Sequence, residues 1–349
     1  MKVLLVEFSI AGHSLTYISK LAESDLYEAV LVVPEKIKTL NCKQYELELQ
    51  EHKNPLQYFK WIVDLKKIIK KEKPDVVHLL YGDNFYRYCG LGLRLLGKNK
   101  TILTLHWIKG DKFHKISTKS IAHRVKQIIV HSDYMKNQLK ILNINNAERI
   151  EYPYFSIIQP DKIKAKEYFD LKNNIPVLCC LGSARYDKGL DILLDSLKNV
   201  KEDFQLLIAG TEGFFDKQYV NEHISSYKDK VKINMRFLSE EEFAYASEAA
   251  DIIVLPYRKI FSGASGPLGE GVWKKKCIIG PMEGNLGYTI KKYHLGYVFE
   301  SENTESLSNV LSIALKKNFE PDMEYLDYRK MLNPDIFVEN YYTIYKEMK

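Results

Sequence analysis

Arg185 and Lys188 stand three residues apart in Ser183-Ala184-Arg185-Tyr186-Asp187-Lys188-Gly189, between an apolar run and an amphipathic one. Two fixed cations on a strand-to-helix loop can clamp a diphosphate. The competing reading is a surface salt bridge to Asp187 or Asp191. A second stretch with chemical promise is Tyr257 to Pro281, YRKIFSGASGPLGEGVWKKKCIIGP, which follows the apolar run Ile252 to Leu255 and its stop at Pro256. Ser262-Gly263-Ala264-Ser265-Gly266-Pro267 carries almost no side-chain bulk. Pro267 suits the first turn of a helix, where a missing N–H costs nothing. Small residues ahead of it let backbone N–H groups approach a ligand, and a strand, such a loop and a helix N-terminus together bind anions. Glu270, one turn inside, either accepts hydrogen bonds from ligand hydroxyls or is a solvated residue behind a glycine-rich turn.

Three more loops carry polar residues just past apolar runs. Ser9-Ile10-Ala11-Gly12-His13-Ser14 resembles a phosphate-type turn without a full GxGxxG. There Gly12 either shapes the turn or admits a ligand, and His13 either donates to a phosphate or sugar hydroxyl or is solvated. His106 and Trp107 follow Ile102 to Leu105, and His106 is either a cleft residue or a packed histidine. In His131-Ser132-Asp133 a structural role is favoured, with Ser132 or Asp133 as a helix N-cap.

These loops need a scaffold. Short β-like runs alternate with amphipathic helical stretches along the whole chain, which argues for parallel sheets covered by helices. The strands expected are Val3–Phe8, Glu28–Val33, Asp75–Leu80, Thr101–Leu105, Gln127–His131 and Arg149–Tyr152, then Val177–Leu181, Phe204–Ala209, Val231–Met235, Asp251–Leu255, Lys276–Ile279 and Gly296–Phe299. Two such series predict two doubly wound α/β domains, 1–155 and 156–330. A tail at 331–349 forms a helix expected to pack back on the first domain. In such sheets ligands sit beyond the carboxyl ends of the strands.

Composition bounds the partners. A chain of 349 residues with 46% hydrophobic content supports two sizeable cores. Residues 1–150 hold 25 basic and 15 acidic side chains, and the remainder 26 and 30, so the net charge of +6 is concentrated in the first half. That asymmetry suggests an anionic partner. Leu56-Gln57-Tyr58-Phe59-Lys60-Trp61-Ile62, followed by Lys66, Lys67, Lys70, Lys71 and Lys73, reads either as a helix that can lie on an anionic membrane or as one packed on the sheet with a solvated basic face. No basic-aromatic module marks a nucleic-acid binder. Five cysteines without a CxxC pair, no 18-residue apolar run and a Met1 that leads straight into KVLLVEF predict a cytoplasmic protein with reduced thiols and no signal peptide.

GSARYDKGLDILLDSL (182–197) is similar to the G-x-x-R-x-x-K-G-x-D-x-L stretch of retaining glycosyltransferase family 4, of GT-B fold. KPDVVHLL (73–80), ILTLHW (102–107), IIVHSDYMKNQL (128–139), FQLLIAGTEG (204–213) and ADIIVLPYR (250–258) resemble further landmarks of that family, in its order. The resemblance covers nearly the whole chain. It implies two Rossmann-like domains facing a central cleft, and transfer of a sugar from a UDP- or GDP-sugar to a glycan or lipid-linked acceptor in cell-surface polysaccharide synthesis. Arg185, Lys188 and the N–H groups at Ser265–Gly266 would stabilise the departing diphosphate. Glu270 would bind ribose, and Arg236-Phe237-Leu238 the base. Gly12, His13, Ser262 and Gly263 complete the donor side, and His106 lies near the reacting sugar. Attack is expected on the face the leaving group vacates, its phosphate taking the acceptor proton. Two departures stand out: the family's paired glutamates are reduced to Glu270, with Ser262 at the first position, and its Gly-Gly turn to Ala11-Gly12. With no Asp-x-Asp in the chain, neither cofactor nor metal is expected. The alternatives are a nucleotide-sugar-binding subunit that has lost catalysis and a GT-B epimerase.

Overall fold

The computed structural model of the chain describes residues 1–10, 13–49, 54–154, 156, 158–261 and 263–348, with residue 13 described by its backbone alone. The chain divides into two compact units, Met1–Tyr152 with Pro334–Lys349, and Pro153–Asn333.

The first unit is built on seven parallel strands: β1 (Lys2–Val6), β2 (Glu28–Val33), β3 (Lys43–Glu46), β4 (Val76–Leu79), β5 (Thr101–Leu105), β6 (Gln127–Val130) and β7 (Ala147–Arg149), in spatial order 3-2-1-4-5-6-7. Their near-continuous apolar runs are what a sheet covered on both faces requires. β1 pairs with β2 on one side and β4 on the other, Leu4 facing Val30 and Val77. The winding therefore reverses between β1 and β4, and a crevice opens beyond their carboxyl ends. One expectation is corrected here. The last strand stops at Arg149 rather than running on from it to Tyr152, because its partner β6 ends at Val130 and turns into the helix Asp133–Ile141 capped by Ser132. The polar edge strand β3 and the helix Lys112–Ala122 were not legible in the apolar pattern.

The second unit holds six parallel strands, β8 (Val177–Leu181), β9 (Gln205–Gly210), β10 (Val231–Met235), β11 (Ile252–Val254), β12 (Cys277–Pro281) and β13 (Gly296–Phe299), in order 10-9-8-11-12-13. Its reversal lies between β8 and β11, which lead into the two loops with promising chemistry. All five cysteines are free thiols, and Cys179 and Cys277 fill the core.

The helix Pro334–Glu347 belongs to the first unit although it is last in sequence. It buries Phe337, Tyr341 and Tyr345. Burial of each such side chain contributes on the order of 1.5–3 kcal/mol. The hydroxyls need partners in that dry interface. His78, wholly buried on β4, bridges Tyr345 at 2.6 Å and Thr104 at 2.8 Å, Thr104 reaches Tyr341 at 3.1 Å, and Tyr341 bonds Tyr17. Burial pushes the His78 imidazole down to about 3, so it serves as a neutral linker. Among the described residues, no helix is long and apolar enough to cross a membrane.

Candidate active site

Beyond β8 the chain turns at Gly182, whose φ of +106° favours glycine. A Cβ there would lie 2.9 Å from Lys188 Nζ and 3.7 Å from Pro267. The bare glycine thus lets the Lys188 ammonium sit against the strand end, beside the first turn of the helix Gly266–Trp273. Lys188 makes no ion pair with any described residue; its charge lies over the Tyr257 ring at 5.5 Å. Burial, then the Arg185 charge, pushes its pKa below the ordinary lysine value. An uncompensated, partly desolvated cation beside a helix N-terminus is a strong anion attractor.

Arg185 is placed differently. It is exposed and forks onto its own loop, Nε to Asp187 Oδ1 at 2.9 Å and Nη2 to Oδ2 at 2.7 Å. Its charge is therefore balanced locally, and of the two expected clamp residues only Lys188 lacks a counterion. The other acid considered for Arg185, Asp191, is taken by Arg258, whose importance the sequence did not reveal. Arg258 is buried. It forks onto Asp191, donates to the Tyr186 carbonyl at 2.7 Å, and stacks over the Tyr186 ring at 4.0 Å. Its own N–H donates to Asp187 O at 2.9 Å. Arg258, just past β11, thus ties the middle of the Arg185–Lys188 turn, at Tyr186 and Asp187, to Asp191 in the helix that follows. The available signal was an arginine closing the apolar ADIIVLPY run, where a charge survives only if paired.

The helix Gly266–Trp273 starts as expected. Ser265 caps it by accepting from Leu268 N–H at 3.3 Å, and the Tyr257 hydroxyl lies 3.3 Å from the same Ser265 oxygen. Gly263 is half-buried, and among the described residues the Phe261 ring lies near its would-be Cβ. Glu270 is buried rather than solvated and accepts from Ser247 Oγ at 3.2 Å. Burial raises its carboxyl to about 7, against the pull of Lys274 and Ser247. Beyond β10, Arg236 forks onto Glu242, which also closes a capping box with Ser239. Phe237 is 80% exposed, a free apolar surface, whereas Leu238 is a core residue. Ala11, Gly12 and Ser262 lie outside the described residues, as does the His13 side chain.

In the first unit, His106 follows β5. Its Nε2 lies 2.8 Å from the Leu80 carbonyl, which only accepts, so Nε2 carries the proton and Nδ1 is left as an acceptor. The ring stacks on Tyr81 at 4.8 Å. Burial lowers its pKa to about 4 and keeps it neutral. Asp83 holds the turn, accepting from the His106 and Trp107 N–H groups at 3.0 and 3.2 Å. Glu7 does the same after β1, accepting from Phe8 and Ser9. Burial raises both carboxyls to about 7. His131, as expected, is structural, bonding the Ile150 carbonyl at 2.7 Å.

Residues 2–141 match the family model described as glycosyl transferase 4-like, and residues 175–317 the one described as glycosyl transferases group 1. Solved structures share the fold. A glycosyltransferase from Rickettsia africae superposes with a TM-score of 0.78 at 20% identity, over 99% of this chain and 98% of that one. The chain carries the two glycosyltransferase family domains in a GT-B fold. Sucrose-phosphate synthase from Thermosynechococcus elongatus superposes on this glycosyltransferase with a TM-score of 0.77 at 15% identity, covering 99% and 98% of the two chains. HepE from Anabaena, solved with UDP, gives 0.77 at 13% over 99% and 100%. An uncharacterized glycosyltransferase of Methanocaldococcus jannaschii is 27% identical over 255 residues, which is 69% of this chain and 66%, just under two thirds, of that protein. Among the glycosyltransferase's described residues, the group of side chains with ligand atoms gathered as a metal would need is His294, Asp322 and Glu324. All three are exposed and on elements that carry none of the expected site residues.

Proposed function

We propose that this glycosyltransferase moves a sugar, with retention at the anomeric carbon, from a nucleoside diphosphate to a hydroxyl of a glycan or lipid-linked acceptor. The observation that carries the reading is Lys188, a cation without a counterion held against Gly182 beside the Gly266–Trp273 helix N-terminus. The C1–O bond to the diphosphate breaks and one to the acceptor oxygen forms on the same face. The diphosphate oxygen takes the acceptor proton. Lys188, the Ser265–Gly266 N–H groups and Arg185, once drawn from Asp187, oppose the negative charge that grows on the leaving group. Glu270 accepts from ribose hydroxyls, and Phe237 offers an apolar face to the base. In the first unit, neutral His106 presents Nδ1 to a sugar hydroxyl. Gly12, His13, Ser262 and Gly263 border the donor, and no metal enters the mechanism. Support for the donor class comes from HepE, solved with UDP and with UDP-glucose. The cell-surface setting draws on a lipopolysaccharide outer core galactosyltransferase, 13% identical with a TM-score of 0.73. On this reading the enzyme is cytoplasmic and touches the membrane peripherally. A thermal-shift panel of UDP, GDP and their sugar conjugates tests it, since a ligand of the folded state alone raises Tm. NMR of the product anomer then tests retention. No shift with any nucleotide, or an inverted product, removes the proposal.

A further inference from the structure

At the opposite ends of the second sheet, where β8, β11 and β12 begin, lies a cavity of ≈ 1100 Å³. It is far more basic than its surroundings require. Seven lysines line it, against Asp251 and Glu320. Lys162 and Lys166 share one carboxylate, Asp251, at 2.5 and 3.5 Å. Lys276 and Lys274 share another, Glu248, at 2.9 and 3.6 Å. Four ammonium groups thus pair with two carboxylates, Lys274 also feeling the more distant Glu270, and three of the four side chains are almost fully buried. Buried cations are ordinarily paired one for one, because the uncompensated charge has lost its water. Here the heads are fixed by backbone as well: Lys166 donates to Asn173 O and Ile175 O, Lys276 to Glu248 O, and Lys274 to Ile158 O. Lys275 and Lys317 add two exposed charges at the wall with no described ion-pair partner. The excess is preorganised along the wall of a pocket open to solvent on one side.

We propose that this cavity is a second binding site, for a multiply charged phosphate group. A dianion supplies the charge that the two carboxylates leave uncompensated, and lysines suit phosphate as point charges. The group belongs either to a soluble phosphorylated metabolite or to a lipid headgroup. Titration calorimetry of the full chain with inorganic pyrophosphate is the test, run on wild type, Lys188→Ala, and Lys188→Ala with Lys162→Gln/Lys317→Gln added. In Lys188→Ala, where the diphosphate site beside Gly182 is weakened, pyrophosphate is expected still to bind, and that remaining binding is expected to weaken about tenfold or more for each cation removed when Lys162→Gln/Lys317→Gln is added. Protection of Lys275 and Lys317 from acetylation by pyrophosphate, read by mass spectrometry on wild type, gives the same answer without a variant. Flotation with phosphatidic acid vesicles separates the sources: recovery that pyrophosphate competes away assigns a headgroup, and recovery that pyrophosphate leaves unchanged, or none, assigns a soluble ligand. Absent pyrophosphate binding, binding lost in Lys188→Ala, or binding indifferent to the added Lys162→Gln/Lys317→Gln with Lys275 and Lys317 unprotected overturns the proposal.

Discussion

Lys188 Nζ occupies the space that a side chain on Gly182 would need, 2.9 Å from its Cβ position. A methyl group at Gly182 must therefore displace the ammonium, and it also strains a backbone at φ +106°. Gly182→Ala and Lys188→Ala are expected to lower kcat on the order of 100-fold, with donor KM changing far less. Steady-state kinetics on the donor found by the nucleotide panel decides this. Near-wild-type kcat in folded Lys188→Ala would remove Lys188 from the mechanism.

Arg185 spends its charge on Asp187, so the pair competes with any phosphate. Asp187→Asn is expected to tighten nucleotide binding up to several-fold, since the exposed ion pair that a phosphate must displace is worth about 0.2–1 kcal/mol. Calorimetry with the nucleoside diphosphate measures it. Weaker binding in Asp187→Asn would mean that Asp187 positions Arg185 rather than masking it.

Arg258 and Asp191 form one unit that holds the Arg185–Lys188 turn. A double-mutant cycle of Arg258→Ala and Asp191→Asn should give a coupling on the order of 1–3 kcal/mol in urea unfolding. Arg258→Lys keeps the charge but not the fork, and is expected to recover stability more than kcat. Additive stability effects would separate the two residues.

Three buried acids give the protein a signed pH dependence. Glu7 and Glu270 titrate near 7 rather than 4.5, and Asp83 near 7 rather than 3.8. The folded state then retains protons that the unfolded chain has released. The stability each contributes is full below its unfolded pKa and is lost as pH rises through about 7. His78, His106 and His131, buried neutral, act in the other direction as pH falls. The comparison that isolates one acid is Glu7→Gln against wild type: its relative stability should rise by roughly 3 kcal/mol between pH 4 and pH 8. A pH-independent difference in urea unfolding contradicts the assignment. Donor KM should fall between pH 6 and pH 8 as Glu270 ionises, and Glu270→Gln should flatten that profile at a higher KM.

The helix Pro55–Glu72 buries Tyr58, Trp61, Ile62, Leu65 and Ile69, yet leaves Leu56 81% exposed beside Phe59, Val63 and a lysine-rich flank. Flotation with anionic vesicles is expected to recover more protein than neutral vesicles do, and Lys60→Glu/Lys67→Glu to abolish the difference. Equal recovery on both vesicle types rejects peripheral attachment through this helix.

Much of the scaffold was legible because buried parallel strands must be apolar: Val177–Leu181, Val231–Met235 and Gly296–Phe299 fall where the pattern puts them. The helix start at Ser265–Gly266 was legible from Pro267 and the small residues before it, though the Ser265 cap itself was not. Lys43–Glu46 was not, because an edge strand paired on one side needs no apolar run. Arg258, Asp83 and Glu7 were missed because a buried ion or turn carboxylate declares itself only through its partners, and those lie far along the chain. Arg185 reads the same in sequence whether it awaits a phosphate or holds Asp187; only the distances separate the two.

The helix Pro334–Glu347 completes a unit begun 333 residues earlier. On the ribosome, the whole of Pro153–Asn333 emerges before His78 and Thr104 can meet Tyr345 and Tyr341. The unit that starts first must finish last. Until then the aromatic and polar groups of that seam stay open to water, while the later unit is already free to close.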